Sequence, residues 1–202
     1  RYMSRVKPVD QDAIAALDDL FAPVVERMGF IPLSQLVMAH KPALLRAFIN
    51  LGKAVYSQDE GSIPFALKSL IGNMASKSAG CMYCVAHTGS NSSRAGVDDN
   101  KIAAMWQFET SNLFSEAERT ALSFAQAAAQ VPNATTEADF AELRKHFTEF
   151  QIVEIMSVIA MFGYLNRWND SMATTLEEEP IAFAEQTIAG TGWTVGKHAA
   201  AE

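Results

Sequence analysis

Cysteine is nearly absent from this chain, with two among 202 residues. A disulfide-stapled extracellular scaffold needs several, so that class is excluded. Two thiols in an otherwise cysteine-free chain suit a reducing compartment and a chemical role, and a cytoplasmic location is expected. No apolar run approaches the roughly 20 residues needed to span a bilayer, so no membrane partner is expected. No secretory signal is visible in a sequence that opens on Arg1. Basic charge is also scarce, with Lys+Arg 16 against Asp+Glu 23 and a net charge of −7. Without a basic stripe, nucleic acid is not expected as a ligand. Internal repeats, low-complexity tracts and second-domain linkers are missing, and no strand-period alternation competes with the helical pattern described below.

Apolar residues are plentiful, at 49% of the chain, which suits one domain with a sizeable core or a small domain completed by a partner. Residues 1–10 are polar and contain proline, and read as a loose arm. From Asp10 to Met28 apolar residues recur at helical spacing, with Pro23 expected to bend or end the helix. Gly29 and Pro32 mark a turn, Leu33 to Ala39 a short helix, and Pro42 to Tyr56 a longer one with proline in its first turn. Pro64 to Ala79 reads as a buried helix that starts at Ser62 or Ile63 and stops near Gly80. Asp98 or Asp99 caps a short helix through Trp106. Ser115-x-x-Glu118, Thr136-x-x-Asp139 and Thr148-x-x-Gln151 are capping boxes that open three more helices. The last of these, Ile152 to Tyr164, is apolar nearly all round and is expected to be a central or interface helix. Ile181 to Ala189 forms a final helix, and Trp193 docks the glycine-rich tail onto a neighbouring surface. These elements predict one all-α domain, a bundle of about seven to nine helices estimated from typical helix lengths, over residues 11–179. Residues 180–202 form a C-terminal extension. Such apolar helices also predict a homo-oligomer.

Both cysteines lie in Gly80-Cys81-Met82-Tyr83-Cys84-Val85-Ala86-His87. If a helix starts at or just after Cys81, then Cys81, Cys84 and His87 share one stripe, because residues three apart differ by about 60° in direction. A thiol near a helix N-terminus meets unpaired N–H groups and the positive end of the macrodipole, which favour the thiolate. An imidazole one turn away can take the thiol proton or return it to a leaving group. The two sulfurs can also close and reopen a disulfide. A structural zinc site needs two further ligands, and His40, His146 and His198 are scattered, so no metal is expected. A purely structural disulfide over so short a loop would restrict the unfolded chain little. A lone helical histidine is often merely a packed side chain, but its spacing from Cys84 favours a chemical role. Proximity to the helix start favours Cys81 as the nucleophile, and proximity to His87 favours Cys84. Of the two, Cys84 is the expected attacking thiol.

The segment from Gly80 to Thr88, followed by Arg94-Ala95-Gly96-Val97, resembles the C-Y-C-x-x-H segment of the alkylhydroperoxidase D-like, or carboxymuconolactone decarboxylase-like, family. The run from Phe162 to Asp170 is similar to the closing segment of its peroxidase-related branch, and the resemblance spans roughly Pro32 to Glu178. It implies an all-helical, homo-oligomeric thiol peroxidase with neither metal nor organic cofactor. Cys84 would attack a hydroperoxide, Cys81 would resolve the sulfenic acid as a disulfide, His87 would belong to the proton relay, and an external dithiol would be the reductant. Family members with peroxidase activity resemble C-x-x-C-x-x-x-H, whereas Thr88 holds that histidine place here. Their glutamate twelve residues before the first cysteine corresponds to Ser69. Two alternatives stand beside the peroxidase. One is a decarboxylase or isomerase of a cyclic acid or lactone using His87 and Arg167 without redox turnover. The other is a redox-sensing oligomer that turns nothing over.

Glu154, the only ionisable residue between Ile152 and Tyr164, either replaces the missing glutamate by reaching His87 or faces water near the helix start; the second is favoured. Arg167 either binds an anionic substrate or pairs with Asp170 one turn on, the pair being favoured. Trp168 is expected at a packing contact, and Tyr56 and Tyr83 are candidates for a pocket wall.

Overall fold

The three capping boxes each open a helix in the computed structural model, which describes residues 4–200. Residues 1–3 of the expected arm and 201–202 of the extension lie outside the described part. In chain order the α-helices are α1 (Gln11–Ala15), α2 (Asp18–Met28), α3 (Leu33–Met38), α4 (Pro42–Val55), α5 (Phe65–Ala79) and α6 (Met82–Arg94). There follow α7 (Asp99–Ala103), α8 (Glu116–Ala128), α9 (Glu137–Leu143), α10 (Glu149–Met172) and α11 (Glu178–Thr187). The fold is all-α, with no strand among the described residues. The eleven segments among the described residues exceed the seven to nine expected, in part because the Asp10–Met28 stretch, read as one helix, is divided into α1 and α2.

Three boundaries differ from the sequence reading for physical reasons. The first helical stretch breaks at Ala16–Leu17, and Pro23 sits inside α2. Proline within a helix removes one i→i−4 hydrogen bond, and α2 continues past it to Gly29, whose left-handed backbone (φ 82°) ends the helix. Pro64 is the N-cap of α5, with extended backbone, and lies just outside the first turn. Helix α10 runs on past Tyr164 to Met172, carrying the Asn166–Asp170 segment within it.

α5 and α6 form an antiparallel hairpin turned at Gly80, whose φ of 76° suits a residue without a Cβ. Their register is fixed by Asn73, whose amide donates to the Thr88 hydroxyl (3.0 Å) and the Val85 carbonyl (3.1 Å). α10 crosses α5 so closely that a Cβ on Gly72 would stand 2.5 Å from the Phe162 ring. These helices and α8 enclose the main core, which includes Leu70, Ile71, Met74, Leu122, Ile155 and Val158. A second, smaller core joins α2, α3 and α4 through Phe21, Leu36, Met38 and Leu45. Phe48 and Leu165 touch both cores. The expected partner surface for Trp193 is α6 of the same chain, where its indole N–H donates to the Met82 carbonyl (3.0 Å).

Glu154 does not reach His87, nor does it face water. Its carboxylate holds the Lys68 ammonium at 2.7 Å and accepts from Ser62 and the Ile63 N–H. Burial alone would raise the carboxyl, but those donors outweigh it and hold Glu154 below the ordinary range. Lys68 is fully buried and also donates to the Val55 and Ser57 carbonyls, so the pair ties α10 to the end of α4. Glu154→Ala strands a buried ammonium and is expected to lower stability by about 3–5 kcal/mol. Chemical denaturation measures that loss, and the Cys84 alkylation rate of the folded variant is expected to be unchanged.

Candidate active site

The N-terminus of α6 is built around the two thiols. Cys81 is the N-cap, with extended backbone, and its Sγ accepts from the Cys84 N–H at 3.4 Å. Cys84 therefore lies in the first turn, and its Sγ accepts from the Asn169 amide of α10 at 3.5 Å. Both cysteines are reduced and buried. They differ in what they face. Cys84 borders a cavity of about 630 Å³, whereas Cys81 does not. That volume is in the range of small-molecule sites. The cavity lies where the two cores meet, walled by α2, α4, α6 and α10, with Phe48, Met161, Phe162 and Leu165 supplying much of its apolar lining.

The macrodipole was expected to favour a thiolate, and burial reverses that expectation at Cys84. Desolvation, followed by the hydrogen bond and charge of neighbouring Cys81, pushes its thiol well above the ordinary range, and the Asn169 donor opposes this only in part. The resting thiol is thus protonated at neutral pH and needs a base at the moment of reaction. Alkylation of Cys84 by iodoacetamide in the reduced protein is expected to reach half its maximal rate above the roughly 8.5 of a free cysteine. A pH series with mass-spectrometric assignment of the modified residue checks this.

His87, one turn along α6, borders the same cavity. Its Nε2 lies 2.7 Å from the Glu177 carboxylate. A carboxylate only accepts, so Nε2 carries the proton and Nδ1 is left as the basic nitrogen. No protein partner is found for Nδ1 among the described residues. Glu177 also accepts from the Tyr83 hydroxyl at 2.9 Å and from the Leu33 N–H. Burial would raise its carboxyl, but the His87 charge and hydrogen bond, with the backbone donors, hold it below the ordinary carboxylate range. The Tyr83 ring packs on the imidazole at 4.5 Å between centroids. Tyr83 and Tyr56 both wall the cavity, as expected.

The positions of the missing family relay have other duties. Thr88 donates to the Cys84 carbonyl (2.6 Å) and accepts from Asn73, which stabilises the hairpin. Ser69 borders the cavity, and its buried hydroxyl has no partner among the described residues. Arg167 is exposed and outside the cavity wall, and the expected pair with Asp170 is absent. Asp170 pairs with Lys197 at 2.7 Å instead. Trp168 packs in the smaller core, 5.9 Å from the Tyr164 ring. Glu177 and Asn169 were not singled out by sequence. Glu177 opens the run Glu177-Glu178-Glu179, which reads as a solvated charge cluster, and only a contact with His87 across 90 positions reveals its role. No group of three or more His, Cys, Asp or Glu suited to a metal ion is found among the described residues.

Residues 42–127 match the carboxymuconolactone decarboxylase family. The chain is similar to the debrominase Bmp8. It is 34% identical to a cysteine-to-alanine variant in complex with 2,3,4-tribromopyrrole, with a TM-score of 0.82 over 90% of this chain and 96% of that one. Against the apo debrominase the identity is 35%, with a TM-score of 0.81 over 90% and 97%. It is also similar to an uncharacterized peroxidase-related protein from Ralstonia eutropha JMP134, described as an alkylhydroperoxidase AhpD core, at 25% identity and a TM-score of 0.76 over 90% and 95%. The uncharacterized protein YnjA of Escherichia coli is 27% identical over 106 residues, 52% of this chain and 58% of YnjA, so the match spans a little over half of that relative.

Proposed function

As the chain belongs to the carboxymuconolactone decarboxylase family, we propose that it is a dithiol enzyme that reduces an apolar substrate in the cavity, removing a halogen from a halogenated aromatic ring. The observation that carries this reading is that, of two adjacent buried sulfurs, only Cys84 borders the cavity. A thiol with access to substrate and a second thiol behind it is the arrangement of an attacking and a resolving cysteine. Similarity to a debrominase over nine-tenths of the chain favours a carbon–halogen bond as the target. The cavity is also far larger than hydrogen peroxide requires.

In the proposed cycle the His87 Nδ1 takes the Cys84 proton as the sulfur attacks the halogen. An S–halogen bond forms and the carbon–halogen bond breaks, its electron pair passing to the ring carbon. That carbon takes the proton from the His87 imidazolium, which Glu177 stabilises. The Cys81 thiol then attacks the Cys84 sulfur, expels halide and its own proton, and closes the disulfide. An external dithiol, oxidised in turn, restores both thiols.

Reduction of a bulky hydroperoxide by the same sulfurs is the second reading, favoured by the similarity to a peroxidase-related protein. There the Cys84 sulfur takes the terminal oxygen, alcohol leaves, and Cys81 displaces water from the sulfenic acid. Multiple-turnover assays with dithiothreitol separate the two. Halide release from 2,3,4-tribromopyrrole or 2,4,6-tribromophenol, well above that with dithiothreitol alone, supports dehalogenation. Consumption of cumene hydroperoxide without halide release supports the peroxidase. A catalysed reaction that survives loss of both cysteines would overturn both readings.

The dithiol cycle suits a reducing compartment. Self-association through α10 is part of the same proposal, because Val153, Met156 and Tyr164 leave an exposed apolar stripe along it.

A further inference from the structure

We infer that the cavity is built for a carboxylate-bearing amphiphile, its anionic group held at the mouth by Arg27 and Lys53 and its apolar, reactive end at Cys84. This rests on the reading of Cys84 as the reacting atom and names the class of molecule that reaches it.

The chain carries a net charge of −7, yet the charged residues bordering the cavity are Arg27, Lys53 and Arg94, with no Asp or Glu among them. Arg94 is held by Glu179 at 2.7 Å and is neutralised. Arg27 and Lys53 have no carboxylate partner among the described residues, and both are exposed.

Their place along the cavity follows from the helix hairpin. The Asn73–Thr88 hydrogen bond sets α5 against α6, so Phe65, eight residues before Asn73 on α5, lies about 12 Å from that level, toward the C-terminal end of α6. Tyr56 packs on Phe65 with ring centroids 5.2 Å apart. Arg27, near the end of α2, borders the same cavity as Tyr56, and Lys53 precedes Tyr56 by one turn of α4. Lys53 thus sits at the end remote from Cys84, and Arg27 borders the same cavity. The cavity borders α6 from Cys84 to Arg94, ten residues or about 15 Å of helix. Between the ends the wall is mostly apolar, and the buried Ser69 Oγ and Gln35 Oε1 have no partner among the described residues. A ligand with an anionic group about 10–15 Å from its reactive atom fits this layout. A carboxylated halogenated aromatic and a fatty-acid hydroperoxide share that chemistry.

Binding is tested without turnover, by protection of Cys84 from iodoacetamide with decanoate and with its neutral isostere decanamide. In the wild type, decanoate is expected to protect at a concentration at least 10-fold lower than decanamide, with the gap narrowing as salt is raised. In Arg27→Gln/Lys53→Gln the gap closes, with decanamide unaffected. Equal protection by the two probes in wild type, a gap that survives in the double variant, or no protection by either would overturn the proposal. The assay measures occupancy alone, so absent dehalogenation beside a charge-dependent gap would remove the proposed reaction and leave the anion site. Dehalogenation without the gap would do the reverse.

Discussion

Replacing Cys84 by serine is expected to abolish turnover, lowering kcat by about 10³-fold or more, whereas Cys81→Ser keeps the first step and loses the cycle. A hydroxyl in that buried place cannot supply the soft, oxidisable sulfur that the reaction consumes. The two variants should therefore differ in kind. In Cys81→Ser one halogen passes from the ring to the Cys84 sulfur, and the S–halogen bond, with no neighbouring thiol to open it, is hydrolysed by water to one halide and a sulfenic acid. Dimedone trapping and peptide mass mapping should find the adduct on Cys84. If Cys84→Ser forms the adduct on Cys81 at the wild-type rate, the order of the two cysteines is reversed. Serine differs from cysteine by one atom in a well-packed setting, and both variants are expected to melt near the wild type.

Glu177→Gln is expected to lower kcat by about 10²–10⁴-fold with a smaller change in KM. The wild-type carboxylate accepts from His87, Tyr83 and the Leu33 N–H. A carboxamide can accept only through its oxygen. Placed against His87, its NH₂ donates to Nε2, the ring proton moves to Nδ1, and the side facing the cavity is no longer a base. Loss of a charge-assisted network also lowers stability by about 1.5–3 kcal/mol, so kcat must be measured on protein shown to be folded by circular dichroism. The sign of the pH dependence follows from the depressed carboxyl of Glu177. Its stabilising contribution is fully present above the ordinary carboxylate pKa of about 4.3 and is lost as pH falls through the lower folded value. The stability gap between wild type and Glu177→Gln should therefore close on the acid side of pH 4. A kcat unchanged at neutral pH would remove Glu177 from the proton path.

Local signals made most of the helices legible. Ser115, Thr136 and Thr148 each cap the helix their boxes announce, because a capping box is a contact within four residues. Gly80 and the cysteine spacing likewise fixed the α5–α6 turn. What escaped was long-range. The polar residues after Tyr164 looked like the end of a helix, yet Asn166 and Asn169 are buried, and Asn169 meets the Cys84 sulfur 85 positions away. Glu177 is chemically identical to Glu178 and Glu179, and only the packing of the C-terminal segment on α6 selects it. Moving histidine from the Thr88 place to position 87 turns the side chain by about 100° around the helix. A carboxylate from α5 would no longer face it, and one from the C-terminal segment does.

A dithiol cycle is tested most directly by a single turnover of fully reduced protein with no external reductant. Bromide release from a polybrominated pyrrole is followed together with free thiols and intact mass. One bromide per chain is expected, with both thiols lost, the mass lower by two hydrogens, and Cys81 and Cys84 recovered in one disulfide-linked peptide. Bromide release that leaves both thiols free, or oxidation of the pair by neither the pyrrole nor a bulky hydroperoxide faster than that of free cysteine, would contradict it.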